Sequence, residues 1–389
     1  MSAMNFDLTD DQKALQEAAR KFARAELPDL AREVEETAEP VTHDWLKRFA
    51  EMGFLGVNTR EDHGGLGLPH LDAFLVMEEF AKISVGVAFP VFECCAGPVR
   101  IVEALGHPDL ASRVVPKAVA GEMLVAICMS EPDAGTALTD LRTTARIVGD
   151  EIVINGTKRW CSGAGHSGGY VVFCRFDGTK GAKGIGAVFV DRDTEGLSFG
   201  PQERLMGFRG VPSADMNFDN VRVPREHLIV EAGGFGKLMG LFNLERLGNA
   251  TMALGTASGA LEAVMHYVQE RRQFGKPIVD FQAVQLRLAE MAVKVEAARL
   301  MIHRAAARAG SGLPESQDAA MAKCMSNEMT REVTTTAMQL MGGYGYAREY
   351  GMERRVRDSF GWGIAGGSID IQKVNIAAGL IGRRFNQRG

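Results

Sequence analysis

The spacing of apolar residues changes twice along the sequence, near residue 122 and near residue 233. Before the first change, apolar side chains recur at helical intervals. Thr9 or Asp10 can cap the first helix, and Pro28 is expected to help end it. Between the two changes, short β-branched or alternating segments are separated by Gly, Asp and Asn, which is typical of strands. After the second change, long helical patterns return.

These patterns predict a multidomain α+β protein. Its predicted parts are an N-terminal α-helical domain at 1–121, a middle β-domain at 122–232 and a C-terminal four-helix-bundle-like domain at 233–389. Helices are expected at 43–52, 70–84, 92–105, 109–121, 279–309 and 315–341, and along an apolar stripe from Leu247 to Val268. The expected strands are LVAICM, EIVING, YVVFCRF, GIGAVFV and DMNFDNV. The short break AGSGLPES favours antiparallel packing of the last long helices.

Composition narrows the classes of function. The chain is 46% hydrophobic and 24% charged, as in ordinary globular proteins. Its formal charge of -5 and the lack of a basic run argue against nucleic-acid binding. The acidic start MSAMNFDLTDDQ resembles neither a secretory signal nor a transit peptide. The lack of a run of about 18 uncharged apolar residues argues against a membrane span.

The six cysteines show no CxxC pairing, and the adjacent Cys94 and Cys95 would make a poor disulfide. Buried, reduced thiols in a cytoplasmic protein are the expected state. For the same reason no metal site is expected.

Four segments contain glycine, aromatic or basic residues in patterns that bear on function. They are SEPDAGT (130–136), KRWCSG (158–163), ERRQFGKPI (270–278) and QLMGGYGYAREYGMERRVRD (339–358). The first can bind a pyrophosphate through backbone N–H groups and a hydroxyl, and the second can place an aromatic wall and a hydroxyl beside a flat ring. Taken singly, each also has a structural explanation: a turn, a core tryptophan, a cationic helix end and a helix cap.

Together, in this order, the segments resemble the acyl-CoA dehydrogenase family over essentially the whole chain. The matching stretches are REDHGGLGL, SEPDAGT, INGTKRWCSGA, LMGFRG with FDNVRVP, ERRQFGKPI, MQLMGGYGYAREY and GGSIDIQKVNIA. The resemblance implies the three-domain fold of that family and an FAD-dependent α,β-dehydrogenation of an acyl-CoA thioester.

The resemblance also implies roles for individual residues. Ser130 would hydrogen-bond the flavin edge and Thr136 the pyrophosphate, with Met129 and Gly135 in the same turn. Trp160 would lie against the flavin face and the Ser162 hydroxyl near its N5 atom. Ser368 and Asp370 would also lie near the cofactor.

Other residues are implied to face the FAD of a neighbouring subunit. They are Arg271, Phe274, Gln339, Gly342 and Gly343. A site completed by a neighbour implies an obligate oligomer, most simply a dimer of dimers. Asp133 and Ala137 depart from the family pattern and change the charge of the SEPDAGT turn.

The catalytic base is missing from its usual place. Many family members have a glutamate at the position that is Gly366 here, within WGIAGGSIDIQ. Some members have the base on the first long helix of the C-terminal domain instead, as in isovaleryl-CoA dehydrogenase, and Glu245 in LFNLERLGNA matches that position. Gly366 keeps a backbone N–H that can bind the thioester oxygen. Arg246 and Asn243 are expected on the substrate side.

Three alternatives to this dehydrogenase remain open at this point. One is a flavin-dependent enoyl-CoA reductase of the crotonobetainyl-CoA reductase type. The others are a non-catalytic acyl-CoA-binding homologue and an oxygen-using relative. An electron-transferring flavoprotein is the partner implied for the dehydrogenase. The acyl group is undetermined, because pocket volume depends on residues from several helices.

Overall fold

The N-terminal part is helical, as predicted. The computed structural model describes residues 7–383 and 385. The first six helices are α1 (Asp10–Thr37), α2 (His43–Glu51), α3 (His70–Ile83), α4 (Val85–Cys95), α5 (Pro98–Leu105) and α6 (Pro108–Val119). Thr9 caps α1 in a reciprocal capping box with Gln12, as expected for a threonine followed by glutamine three residues later.

Two local predictions in this part are wrong. Pro28 does not end the first helix, because burial of Leu27, Leu30 and Val34 carries α1 past it to a left-handed cap at Ala38. The helix predicted at 92–105 is two helices, with α4 beginning at Val85 and α5 at Pro98. Proline lacks the N–H needed inside a helix but is favourable in the first turn, so a new helix begins at Pro98.

The middle part is a twisted sheet with its own apolar core. Its strands are β1 (Val125–Cys128), β2 (Thr144–Val148), β3 (Glu151–Ser162), β4 (Gly169–Phe176), β5 (Ile185–Asp191), β6 (Leu197–Phe199), β7 (Ser213–Pro224) and β8 (Leu228–Val230). The sheet order is β6-β7-β3-β2-β4-β5-β8, and β1 pairs with β4 in parallel. The five predicted strands are present, whereas β2, β6 and β8 were not predicted.

The C-terminal part is a bundle built around one long helix. Its elements are α7 (Phe235–Glu270), the short hairpin β9 (Arg272–Gln273) and β10 (Lys276–Pro277), α8 (Gln282–Ala309), α9 (Ser316–Met341), α10 (Gly343–Tyr346), α11 (Met352–Trp362) and α12 (Ile369–Ile381). Every residue of α7 from Leu247 to Ala260 is buried, so the buried surface is wider than the predicted stripe. The reason is that α7 packs between α3 and α9.

One helical stretch, Val85–Leu105, is long and apolar enough to cross a membrane by length and composition. In this fold 94% of its most apolar window is buried inside the protein, so it belongs to the core. All six cysteines are buried and unpaired.

Candidate active site

The loop between α11 and α12 ends in two glycines with left-handed backbone. Gly366 has φ of 67° and Gly367 has φ of 84°. Glycine adopts this conformation without strain, whereas an L side chain there costs about 1–2 kcal/mol. No backbone carbonyl in the described part of the chain accepts the N–H of Gly366. The loop therefore presents an unpaired donor.

Glu245 on α7 faces the position where a side chain at residue 366 would begin. A Cβ atom built on Gly366 would lie 3.6 Å from Glu245 Oε1, which is ordinary van der Waals contact. The structure thus brings together two residues that are far apart in the sequence and were paired by the sequence analysis. A carboxylate from α7 occupies the space beside the loop.

The environment of Glu245 favours its protonated form. Burial raises its pKa to about 8, although the charges of Lys323 and Arg246 act in the opposite direction. Its Oε2 atom is buried and has no hydrogen-bond partner among the described residues. A carboxyl with a buried, unpartnered oxygen and a raised pKa is suited to general acid–base chemistry.

A buried polar network holds the loop against α7 and α9. Lys323 Nζ donates to the carbonyl oxygens of Trp362 and Ala365, both at 2.8 Å. Asn249 Nδ2 donates to the same two carbonyls at 3.3 and 3.5 Å, and Asn327 Nδ2 donates to Asn249 Oδ1 at 3.0 Å. These contacts fix the backbone that leads into Gly366.

The sequence analysis did not identify this network. Its signal is a polar face at helical spacing on α9, formed by Lys323, Asn327 and Thr330, within a run of small residues. The helical period shows that these side chains share a face. It does not show which backbone carbonyls they meet.

A second buried carboxyl, Glu93, lies on α4. Burial and the negative charge of Glu245 raise the pKa of Glu93 well above the ordinary carboxyl range. Glu93 lines a small cavity with Phe89, Gly163 and Ser167, and the buried Ser167 Oγ has no partner among residues 7–383. The sequence analysis missed Glu93 too, although it is the one charged residue in the apolar run VGVAFPVFECC.

Arg246 and Asn243 contact each other beside Glu245. Arg246 Nη1 donates to Asn243 Oδ1 at 2.6 Å, and Asn243 Nδ2 donates to the Pro314 carbonyl at 3.2 Å. Arg246 makes no ion pair within 4.0 Å in the described structure, and its Nε atom is buried without a partner. Its guanidinium instead lies 5.4 Å from the centre of the Phe242 ring.

The SEPDAGT turn is anchored at one end and open at the other. The buried Lys158 binds Glu131 Oε1 at 2.8 Å and the Met129 carbonyl at 3.0 Å. Ser130 follows directly and accepts a backbone hydrogen bond from Arg159. Gly135 and Thr136 are exposed, and a Cβ at Gly135 would meet nothing within 4 Å. The open end can therefore receive a ligand.

Trp160 is turned out of the β-domain. It has φ of 61° and lies at a register irregularity between Lys158 and Cys161 on β3. This conformation leaves 53% of the residue exposed, so Trp160 is not a core residue. Ser162, two residues on, pairs with Ser213 of β7.

Ser368 and Asp370 lie at the start of α12. Ser368 is the N-cap, and its side chain accepts from the Ile371 N–H at 3.4 Å. Asp370 is exposed in the first turn, where a negative charge complements the helix dipole. Both therefore have a local structural role, and Asp370 is also accessible to a ligand.

The residues expected to face a neighbouring subunit form a separate surface feature. Arg271, Gly342 and Gly343 line a cavity of about 550 Å³, and the Arg271 guanidinium lies 5.4 Å from the centre of the Tyr344 ring. Phe274, at the tip of the β9–β10 hairpin, is 93% exposed. Gln339 accepts a backbone hydrogen bond from Gly342 but is not part of the cavity lining.

Three family profiles match the chain in order. They are "Acyl-CoA dehydrogenase, N-terminal domain" at residues 9–122, "Acyl-CoA dehydrogenase, middle domain" at 126–221 and "Acyl-CoA dehydrogenase, C-terminal domain" at 232–381. Together they cover nearly the whole chain.

Characterised relatives align over the same length. The chain is 36% identical over 394 residues to 3-sulfinopropanoyl-CoA desulfinase of Variovorax paradoxus, covering 98% of this chain and 97% of that protein. It is 36% identical over 377 residues to the mitochondrial isobutyryl-CoA dehydrogenase of Dictyostelium discoideum, covering 96% and 90%. The structure of butyryl-CoA dehydrogenase from Megasphaera elsdenii superposes with a TM-score of 0.93 at 31% identity, covering 97% of this chain and 100% of that one.

The described residues fit the flavin cofactor of this family. A half-exposed tryptophan on a strand offers a flat face, and the open end of the SEPDAGT turn has room for a phosphate group beside Gly135 and Thr136. The chain is therefore a member of the acyl-CoA dehydrogenase family, FAD-dependent oxidoreductases that act on CH–CH groups.

Proposed function

We propose that the protein dehydrogenates an acyl-CoA thioester to the trans-2-enoyl-CoA, with Glu245 as the base that takes the α-proton. The observation that carries this proposal is the 3.6 Å contact between Glu245 Oε1 and the Cβ position of Gly366. It supports the interpretation that the Glu245 carboxylate on α7 occupies the space that a loop glutamate occupies in other members of the family. It also supports the resemblance to the subgroup that has its catalytic glutamate on this helix, as in isovaleryl-CoA dehydrogenase.

Each protein group has a defined task in this reaction. The Gly366 N–H donates to the thioester oxygen and stabilises the negative charge that develops there, on the order of a few kcal/mol for one such donor. Glu245, once ionised, accepts the proton from the α-carbon. FAD, when bound, supplies the acceptor for the β-hydride. Arg246 and Asn243 lie beside Glu245 on the substrate side.

Sequence similarity over the full length does not by itself indicate dehydrogenation, because one relative that aligns over the full length is named as a desulfinase. The buried carboxyl beside Gly366 is the more specific support. The acyl group stays open, and a panel of straight, branched and ring-bearing acyl-CoA thioesters tests it. Each is mixed anaerobically with the FAD-loaded protein, and loss of flavin absorbance is followed.

Glu245→Gln tests the base with the best thioester from that panel. The amide keeps the size of the side chain but cannot accept the proton, so we expect flavin reduction to slow about 10²–10⁴-fold. FAD content and ligand binding should be unchanged. Glu195→Gln, the same change on an exposed loop of the β-domain, is the matched control. Reduction of Glu245→Gln at the wild-type rate would show that the base is elsewhere.

The pair Glu245→Gly with Gly366→Glu tests the shared space. A glutamate at 366 starts within contact distance of the position that Glu245 vacates, so it should restore part of the lost rate. Recovery should be incomplete, because residue 366 has left-handed backbone, which costs a side chain about 1–2 kcal/mol. A double variant no faster than Glu245→Gly would argue against a common position.

We further propose that the cavity at Arg271, Gly342 and Gly343 completes the FAD site of a neighbouring subunit in a dimer of dimers, with the exposed Phe274 at the contact. Arg271→Met should lose FAD, whereas the adjacent Arg272→Met should keep it. Native mass spectrometry reports both the subunit number and the cofactor content. A monomer that holds FAD at full occupancy would contradict the arrangement.

The remaining proposals follow from the family resemblance. The electron acceptor is an electron-transferring flavoprotein, the protein is cytoplasmic, and the domains span 1–121, 122–232 and 233–389. Reoxidation of the reduced protein by electron-transferring flavoprotein, compared with reoxidation by oxygen, tests the acceptor. The same assay run from an enoyl-CoA with reduced electron-transferring flavoprotein tests the direction.

A further inference from the structure

Lys323 is a buried cation whose contacts go to the catalytic loop. The residue is 0% exposed. Two of its three N–H groups bind the carbonyls of Trp362 and Ala365 at 2.8 Å each. Its Cε atom lies 3.9 Å from the Cβ position of Gly366. No ion pair within 4.0 Å joins Lys323 to any carboxylate in the described structure.

The bond to Ala365 acts on a particular peptide group. The Ala365 carbonyl and the Gly366 N–H belong to the same planar amide, and in a trans peptide they point in opposite directions. A cation on the oxygen therefore fixes the direction of the N–H and polarises it. Hydrogen bonds linked in this way strengthen one another. The polarised N–H is the one proposed to bind the thioester oxygen.

The charge of Lys323 also acts on Glu245. An opposite charge nearby favours the ionised carboxylate, and Lys323 opposes the effect of burial on Glu245 more strongly than Arg246 does. Lys323 Cε and Glu245 Oε1 both lie within 4 Å of the Cβ position of Gly366. Burial lowers the pKa of Lys323, and the charge of Glu245 acts in the opposite direction.

We propose that Lys323 is a positioning residue for the reaction: it orients and polarises the Ala365–Gly366 peptide, and it holds a positive charge beside the Glu245 carboxyl. The proposal rests on the assignment of Glu245 as the base. Lys323 touches neither the substrate nor the reacting atoms in this role and acts through the two groups that do.

The test uses FAD-loaded protein and 3-thiabutanoyl-CoA. This thioester has acidic α-hydrogens but a sulfur atom at the β-position, so it can lose the α-proton and cannot release a β-hydride. The long-wavelength absorbance of its deprotonated complex is titrated against pH in wild type, Lys323→Met, Lys323→Gln and Lys323→Arg. Lys373→Met, an exposed lysine on α12 that pairs with Glu328, is the control.

Loss of the charge should move the midpoint of deprotonation to higher pH. A shift of about one unit corresponds to about tenfold less deprotonated ligand on the acid side of the midpoint. Lys323→Met and Lys323→Gln should both show it, whereas Lys323→Arg and Lys373→Met should stay near wild type. The carbonyl stretch of the bound thioester, measured with a ¹³C label, should move to higher frequency in Lys323→Met because its donor is less polarised.

Unchanged midpoint and carbonyl frequency in an FAD-loaded Lys323→Met protein would overturn the proposal. If Lys323→Met does not fold, equal midpoints for Lys323→Gln and Lys323→Arg would overturn it, and a higher midpoint for Lys323→Gln would support it. Full absorbance in Glu245→Gln would instead overturn the base assignment itself, so the two failures are distinguishable.

Discussion

Two buried lysines in this protein, Lys158 in the β-domain and Lys323 in the bundle, have opposite surroundings. Lys158 binds Glu131 directly at 2.8 Å, and that carboxylate also accepts the N–H groups of Arg142 and Thr143. Although burial acts in the opposite direction, these partners hold the pKa of Glu131 below its ordinary value. Lys323 has no carboxylate at ion-pair distance among residues 7–383, and burial raises the pKa of the nearby Glu245.

The difference separates a structural ion pair from two buried groups of opposite charge that do not contact each other directly. In the β-domain, the charges of Lys158 and Glu131 compensate each other at contact distance, as in a structural ion pair. In the bundle, Lys323 satisfies backbone carbonyls while Glu245 keeps an unpartnered oxygen. Perturbed groups of this kind are typical of catalytic sites. Four substitutions test this difference between the two sites.

Lys158→Met should have the largest effect on stability. It leaves Glu131 buried without its cation, and removing one partner of a buried pair costs about 3–5 kcal/mol. Chemical denaturation at pH 7 measures the free energy of unfolding. FAD content should fall as well, because Lys158 also holds the Met129 carbonyl beside Ser130. If Lys158→Met loses no more unfolding free energy than Lys323→Met, Lys158 does not have the larger structural role expected from its ion pair.

Glu245→Gln should stabilise the protein at alkaline pH. The pKa of Glu245 is raised in the folded state to about 8, so its contribution is present below the unfolded value of 4.5 and is lost as pH rises to about 8. The amide does not ionise, so the variant should gain on the order of a few kcal/mol relative to wild type between pH 4 and pH 9. Parallel unfolding curves across this range would contradict the raised pKa.

Lys323→Met should cost only about 1 kcal/mol at pH 7. Asn249 still donates to both carbonyls, and a neutral side chain avoids the penalty of burying a cation. Denaturation side by side with Lys158→Met measures the contrast. A loss of about 3–5 kcal/mol in the free energy of unfolding, equal to that of a broken buried ion pair, would show that Lys323 has a structural role like that of Lys158.

Glu93→Gln should have the smallest effect. Burial and the charge of Glu245 both raise the pKa of Glu93, so a neutral amide keeps the form that these surroundings favour. Its replacement by a neutral amide should leave the midpoint of the Glu245-dependent titration within about 0.3 units of wild type, well below the shift of about one unit for Lys323→Met. A clear drop in the midpoint would show that Glu93 carries a charge in the working site.

The fold was largely predictable because its signals are local. The helical and strand periods, the Thr9 capping box and the glycine-rich breaks each act within a few residues. The errors occurred where distant packing outweighed a local signal. Burial of the α1 stripe carries the helix past Pro28. The short edge strand β6 exists only because β7 lies beside it.

The candidate site was predictable only in part. Glu245 could be identified because Gly366 stands at the position where many family members have their catalytic glutamate. Glu93 and Lys323 could not, since a single charged residue in an apolar run does not reveal its partner. The partners of Lys323 are backbone carbonyls, and carbonyls have no signature in a sequence.

The amino-acid sequence alone determined the order of the three parts, the turn residues and the absence of a carboxylate at position 366. Short-range backbone preferences and side-chain periodicity are sufficient for those features. That α7 and α9 meet at the loop could be seen only in the three-dimensional structure. Their packing brings Glu245 against Gly366 and Lys323 to the Ala365 carbonyl. The physical reason is that proton affinity and hydrogen-bond direction depend on distances of a few ångströms between groups that are far apart along the chain.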